Sequence, residues 1–214
     1  MCGASSVEPL EALQERLGYR FRDLGLLLTA LTHSSYANEH RLESNERLEF
    51  VGDSVLGMIV AGRLFRRYPD MPEGRMTRLR AELVCEQSLW EVSEQLGLGS
   101  CLRLGRGEEL TGGRTRPSIL ADCVEAVLAA MYLDGGLQPP LALIDRCILS
   151  RLGRDGALEP QDSKTRLQEL EKTITHLLKD EILVTPKVRL VPKGTLAVSD
   201  EKKAVRVKDL RKLF

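Results

Sequence analysis

NERLEFVGDSVLG, residues 45–57, is the stretch on which the reading of this chain turns. Helical residues step by about 100°, so a helix here places Glu46, Glu49 and Asp53 within an arc of about 60°. Leu48, Val51, Val55 and Ile59 form the opposite, apolar face. Phe50, Leu56 and Val60 flank the acids on both sides. A helix that is apolar nearly all round belongs in the middle of a domain. Three carboxylates in a stripe are ordinarily the wet side of a helix, and the flanking apolar residues weaken that explanation.

A second stretch weakens it further. In SILADCVEAVLAAMYLDG (118–135), Asp122 and Glu125 are the only charges between residues 119 and 133. They sit three apart and share a face. A helix this apolar has little wet side, so its acids belong in a cleft or in the interior. Burying ionised carboxylates is costly unless something compensates. One compensation is arginine, with Arg47, Arg78 and Arg80 available. The other is a divalent cation held by Glu49, Asp53, Asp122 and Glu125. An all-oxygen donor set suits hard cations such as Mg²⁺ or Mn²⁺. No histidine completes a Glu-x-x-His pair, and His33, His40 and His176 lie elsewhere in the sequence. Zinc and a ferritin-like di-iron bundle are therefore disfavoured. The pattern leaves two readings open, metal-assisted phosphoester hydrolysis and a structural ion-pair cluster.

Around these two stretches the periodicity is helical. Residues 7–18, 22–32, 75–96 and 139–152 have amphipathic or apolar helical spacing, as does the full run from Asn45 to Tyr68. Ser44 or Asn45 can cap the central helix, and Pro69 stops it. Ser118 can cap the apolar one. Residues 33–44 read as a polar loop or short helical link, and the glycine-rich 96–116 as a loop. No strand signal exceeds four residues before 182, so residues 1–152 are expected to be all-helical. Residues 153–161 have linker composition. In 162–214, a basic amphipathic helix, short strands over 182–198 and a last helix over 200–213 predict a small α+β module.

The 214 residues carry no net charge, but the balance hides a split. Residues 1–163 hold 18 Arg, no Lys and 24 acids, a net of −6; residues 164–214 hold 4 Arg, 9 Lys and 7 acids, a net of +6. A basic module joined to an acidic one points to a polyanionic partner, and the abrupt lysine onset suggests a different origin for the tail. The five cysteines are widely spaced without a CxxC pair, as expected of buried free thiols in a cytoplasmic protein. No apolar run is long enough to span a bilayer, and the N-terminus lacks a signal-peptide pattern. Nothing suggests an organic cofactor.

NERLEFVGDSVL resembles the signature segment of the ribonuclease III family. The likeness continues in order through THSSYANEH (32–40), PEGRMTRLRAELV (72–84) and SILADCVEAVLAAMYLDGG (118–136). These four blocks span most of residues 1–152. The resemblance implies an all-α endonuclease domain acting as a homodimer on double-stranded RNA and leaving 5′-phosphate and 3′-hydroxyl ends. It implies Mg²⁺, with Mn²⁺ able to substitute. Glu49, Asp53, Asp122 and Glu125 match its metal-binding positions, with Asp53 and Glu125 catalytic. Glu46 and Glu73 match supporting acids. Phe50 falls where the family places a dimer-interface aromatic, and a core aromatic is the alternative. Arg75, Arg78 and Arg80 could contact RNA backbone or simply face solvent. The runner-up is a non-catalytic RNA-binding or ribosome-associated relative, which would be expected to have lost site acids.

The family usually adds a double-stranded-RNA-binding domain. QDSKTRLQELE (161–171) resembles its first helix, with Gln168 where that helix touches the minor groove. Beyond it the likeness fades: EKKAVRVKDLRKL (201–213) keeps Lys-Lys-Ala without the small-residue helix that should follow. A divergent or shortened RNA-binding domain, an unrelated basic segment and a sequence discontinuity all remain open for 162–214.

Overall fold

The computed structural model describes residues 10–153. The chain divides into two units, Met1–Glu159 and Pro160–Phe214. The second unit, with Gln168 and the expected α+β module, lies outside the described residues.

The described part is helical, as the periodicity predicts. Its α-helices are α1 (Leu10–Leu17), α2 (Leu24–Ala30), α3 (Ser34–His40), α4 (Glu46–Arg67), α5 (Glu73–Leu83), α6 (Glu86–Leu96), α7 (Leu98–Cys101), α8 (Arg106–Leu110), α9 (Pro117–Gly135) and α10 (Gln138–Cys147). Short 3₁₀ turns follow at Gly113–Thr115 and Leu149–Arg151. The centre is α9, packed by α4, α6, α10 and α2. Leu120, Cys123, Val127, Leu128 and Met131 on α9 are essentially inaccessible and meet Leu56, Val60 and Leu64 of α4 in one apolar core.

The structure differs from the expected elements in three places. The stretch 75–96 is two helices, because Cys85 turns extended (φ −71°, ψ 159°) after Leu83. Leu79, Leu83 and Leu89 still all reach the core, so the break leaves the apolar spacing intact and invisible to it. The polar 33–44 agrees with the second of its two readings, a short helical link: it contains α3, capped by the His33 ring accepting from the Ser35 N–H. The glycine-rich 96–116 holds α7 and α8. Ser118 lies inside α9, which starts at Pro117, a residue suited to a first turn that lacks acceptors for its N–H groups.

Two backbone features set the entry to α4. Thr32 bridges Arg103, with the Arg103 N–H donating to Leu31 O at 2.8 Å and the His33 N–H to Arg103 O at 3.1 Å. The buried Asn45 then donates its N–H to Thr32 O at 2.8 Å, and its own carbonyl accepts from the Glu49 N–H at 2.9 Å. Asn45 is the N-cap residue by position, but its side chain makes no capping bond. At the other end, the Arg67 guanidinium donates to the carbonyls of Leu149 and Leu152 and ties α4 to the end of the described chain. Cys101, Cys123 and Cys147 are buried free thiols, and Cys85 is an exposed one. No helix among the described residues is long and apolar enough to cross a membrane.

Candidate metal centre

The acids meet where α4 crosses α9, and a glycine makes the crossing close. A Cβ built on Gly52 would lie 1.9 Å from the carbonyl oxygen of Glu125 and 2.4 Å from its carbonyl carbon. Only a residue without a side chain lets the two backbones approach this far. Gly52 sits between Glu49 and Asp53, so the contact presses one acidic face against the other. Sequence reading passed over this glycine; its position inside an otherwise apolar helix, beside Asp53, was the available signal.

Carboxylate oxygens of Glu49, Asp122 and Glu125 lie within 4.8 Å of one another. All three residues are partly buried. Asp53 is exposed and falls outside that group, yet its charge reaches Glu125. Glu46 and Glu73 are exposed and also stand apart from it; the Ser44 hydroxyl donates to Glu46 at 2.9 Å and the Thr77 hydroxyl to Glu73 at 2.6 Å.

All three acids hold their protons more tightly than an ordinary carboxylate. For Glu125, burial and then the charges of Asp53, Asp122 and Glu49 push the pKa up to about 7. Burial, then Asp122 and Glu46, raise Glu49. Asp122 is raised by burial and by Glu86, against an opposing effect of His33. His33 was placed away from the cluster by sequence; folding brings it near enough to act on Asp122. Its position in the THSSY block, at the cap of α3, is what delivers it there.

Among the described residues, arginine does not neutralise this cluster, and no ion pair is made to Glu49, Asp53, Asp122 or Glu125. Arg47 instead pairs with Glu43 at 3.9 Å, and Arg78 donates to Gly74 O of its own helix. Converging, uncompensated oxygen donors with raised proton affinity are what a hard divalent cation would relieve.

The comparisons with known proteins agree with this geometry. A model of the ribonuclease-III-like family matches residues 23–152. The chain belongs to the ribonuclease III family. It is an endoribonuclease of that family. Ribonuclease 3 of a Listeria monocytogenes serotype 4b strain is 49% identical over 163 residues, which are 75% of this chain and 71% of that protein. Ribonuclease 3 of Symbiobacterium thermophilum is 54% identical over 162 residues, 72% of this chain and 66% of that one. A solved nuclease domain of ribonuclease III from Campylobacter jejuni, described for flexibility in a region involved in dimer formation, superposes with a TM-score of 0.63. It is 38% identical and covers 66% of this chain and 96% of its own.

A second and different family model, the C-terminal domain of AMP-binding enzymes, matches residues 157–211. That is the stretch expected to form a double-stranded-RNA-binding-like module, and no such module is shown.

Proposed function

We propose that this chain hydrolyses double-stranded RNA endonucleolytically, as a divalent-cation-dependent homodimer, leaving 5′-phosphate and 3′-hydroxyl ends. The observation that carries the reading is the uncompensated meeting of Glu49, Asp122 and Glu125 at the α4–α9 crossing, within a chain of the ribonuclease III family. Mg²⁺ is the expected ion and Mn²⁺ its substitute, since the donors are all carboxylates. When bound, such an ion supplies Lewis acidity that activates water and offsets charge on the phosphate under attack.

The protein's own groups do the rest. Glu49, Asp122 and Glu125 would hold the ion from two helices. Asp53 stands one turn beyond Glu49 on the exposed side of the cleft, where it can orient the attacking water. Burial and the neighbouring acids raise the Glu125 pKa to about 7, so Glu125 would release its proton on binding the ion. Glu46 and Glu73, exposed near the ends of their helices, support the RNA-facing edge. Arg75 and Arg78, three apart on α5, are proposed to share a side of that helix that contacts RNA backbone.

The homodimer rests on α4. Phe50, Met58 and Phe65 are 77%, 54% and 70% exposed and fall on one face of that helix. Large apolar groups in a row on a surface mark an association site. That exposure removes the core-aromatic alternative for Phe50. An isologous contact would place two acidic centres in one cleft, matching the two strands of a duplex. The proposed setting is cytoplasmic processing of ribosomal and messenger RNA. Residues 164–214 add a charge of +6 and so a salt-sensitive attraction for RNA; Gln168 is the proposed groove contact if its segment acts as an RNA-binding helix.

The test is cleavage of a long, end-labelled RNA duplex in Mg²⁺ by the full chain, with Glu125→Gln beside it. Cutting by the wild type and a loss of about 10³-fold or more in the variant, some 4 kcal/mol of barrier, is the expected result. A folded dimer that binds duplex but never cuts it would favour the non-catalytic relative.

A further inference from the structure

At the far end of α4 the chain builds a second charged site that the acids do not explain. Arg63, Arg66 and Arg67, with Asp145, Leu149 and Leu152, line a cavity of about 350 Å³. The spacing i, i+3, i+4 puts all three guanidinium groups on one side of the helix. Like charges so placed repel one another and need a reason to be there.

Their partners account for only part of the charge. Arg63 pairs with Asp145, yet its Nε is buried and has no acceptor. Arg67 is anchored through neutral carbonyls, donating to Leu149 O at 3.4 Å and Leu152 O at 2.7 Å. It is thus held rigidly at the wall with its charge uncancelled. Arg66 is exposed and makes no hydrogen bond or ion pair among the described residues. Among the described residues, one carboxylate against three guanidinium groups leaves the lining with two uncancelled positive charges, one orphaned donor and one pre-positioned cation. Guanidinium forks match the geometry of phosphate oxygens.

We propose that this cavity is a phosphate-binding site. Its placement suggests what carries the phosphate. Arg67 is 18 residues beyond Glu49, a whole number of helical turns, and Arg63 lies within about 40° of the same line. The cavity and the acidic centre therefore share one side of α4, roughly 21–27 Å apart along its axis. A duplex offering one phosphate to the acids extends over that distance with further phosphates to spare. The RNA source rests on the duplex-nuclease reading; the phosphate chemistry of the cavity does not. The two sources, RNA backbone and free phosphate, are separated by experiment.

Arg66→Gln is the probe, because Arg66 holds nothing else in place and its loss should leave the melting temperature in chloride unchanged. In the first arm, inorganic phosphate is titrated into the metal-free full chain at constant ionic strength, following the arginine Nε–H signals by NMR. Saturable shifts at Arg63 and Arg67, weakened about tenfold by Arg66→Gln, are expected. In the second arm, duplex binding without divalent ion is measured against salt. The variant should lower the slope of log K against log salt by about 0.7–0.9. Movement in both arms, or in the salt slope alone, assigns the site to RNA backbone; movement in the phosphate arm alone assigns it to free phosphate. If phosphate does not saturate and the slope is unchanged, the proposal is wrong. If the wild type fails to bind duplex at all, the nuclease reading fails while the phosphate arm still decides the cavity.

Discussion

Two helices supply the acids, and they are built on opposite plans. Of the 19 residues of α9, 11 are buried, and its acids interrupt an apolar surface. Of the 22 residues of α4, seven are buried. Its remaining faces carry Glu49 and Asp53 on one side and Phe50, Met58 and Phe65 on another. α9 is a spine whose surroundings fix two carboxylates in a half-buried setting. α4 serves the core, the acidic centre and an open apolar face at once. A site assembled from both inherits rigidity from the first and access from the second.

If that contrast is right, the largest effect of a single change comes where the two helices touch. Gly52→Ala places a methyl group where the Glu125 carbonyl now lies. The helices must separate, and overpacking against rigid backbone should cost about 3–5 kcal/mol of stability. Chemical denaturation measures it, and cleavage should fall with the loss of the crossing. A fully stable, active Gly52→Ala protein would mean that the close approach is not what assembles the acids.

The next effect tests whether the α9 environment taxes its own acid. The folded-state pKa of Glu125 is raised to about 7 from an ordinary 4.5. A raised carboxyl pKa means that the folded state binds the proton more tightly than the unfolded state. Its contribution to stability is present below the unfolded value and is lost as pH climbs through the folded one. Metal-free protein should therefore lose stability between about pH 4.5 and 7. Glu125→Gln, which cannot ionise, should be the more stable of the two at pH 8, by about 1–2 kcal/mol after allowing for solvent screening of a half-buried group. Adding Mg²⁺ should narrow or reverse that gap. Thermal melts at pH 5 and pH 8, with and without Mg²⁺, decide it. Equal melting temperatures at pH 8 without metal would show that the cluster is not electrostatically frustrated.

The open face of α4 gives a more local expectation, read in dimer dissociation and not in the stability of the fold. Phe50→Ala with Phe65→Ala removes two exposed rings that contribute little to the monomer's core. Dimer dissociation should become easier by about 2 kcal/mol or more, visible by sedimentation. A dimer unaffected by the double variant would move the interface to another face.

Much of this was legible in the sequence, for physical reasons that differ from residue to residue. The position of α9 follows from its uninterrupted apolar run, and the pairing of Asp122 with Glu125 follows from helical spacing. The convergence of Glu49 with those two could be anticipated because a buried acid demands compensation. The change of character in the tail was visible in where lysines begin, at 164, inside the 157–211 stretch that matches a different family. The break at Cys85 was not visible, since no glycine or proline marks it and the apolar period runs straight through. Nor was the approach of His33 to Asp122, which depends on the Thr32–Arg103 bridge, a contact between residues 71 apart. Periodicity reports which face of a helix is wet. It does not report which distant loop is folded against that face.

The smallest expected effect separates charge that matters from charge that merely sits on the surface. Arg47 lies within the signature stretch, between Glu46 and Glu49, and was a candidate to neutralise the cluster. It turns instead to Glu43, at 3.9 Å, with side chains 91% and 79% exposed. Such a pair is worth little, because water and salt screen it and two long side chains must be held still. Arg47→Ala should change stability by no more than about 0.5 kcal/mol. It should also leave the metal-free pH dependence attributed to Glu125 as it is. If the variant instead enlarged the loss of stability between pH 4.5 and 7, Arg47 would be acting on the acids after all. The acids of α4 would then be compensated in part by their own helix, and the difference drawn between α4 and α9 would shrink accordingly.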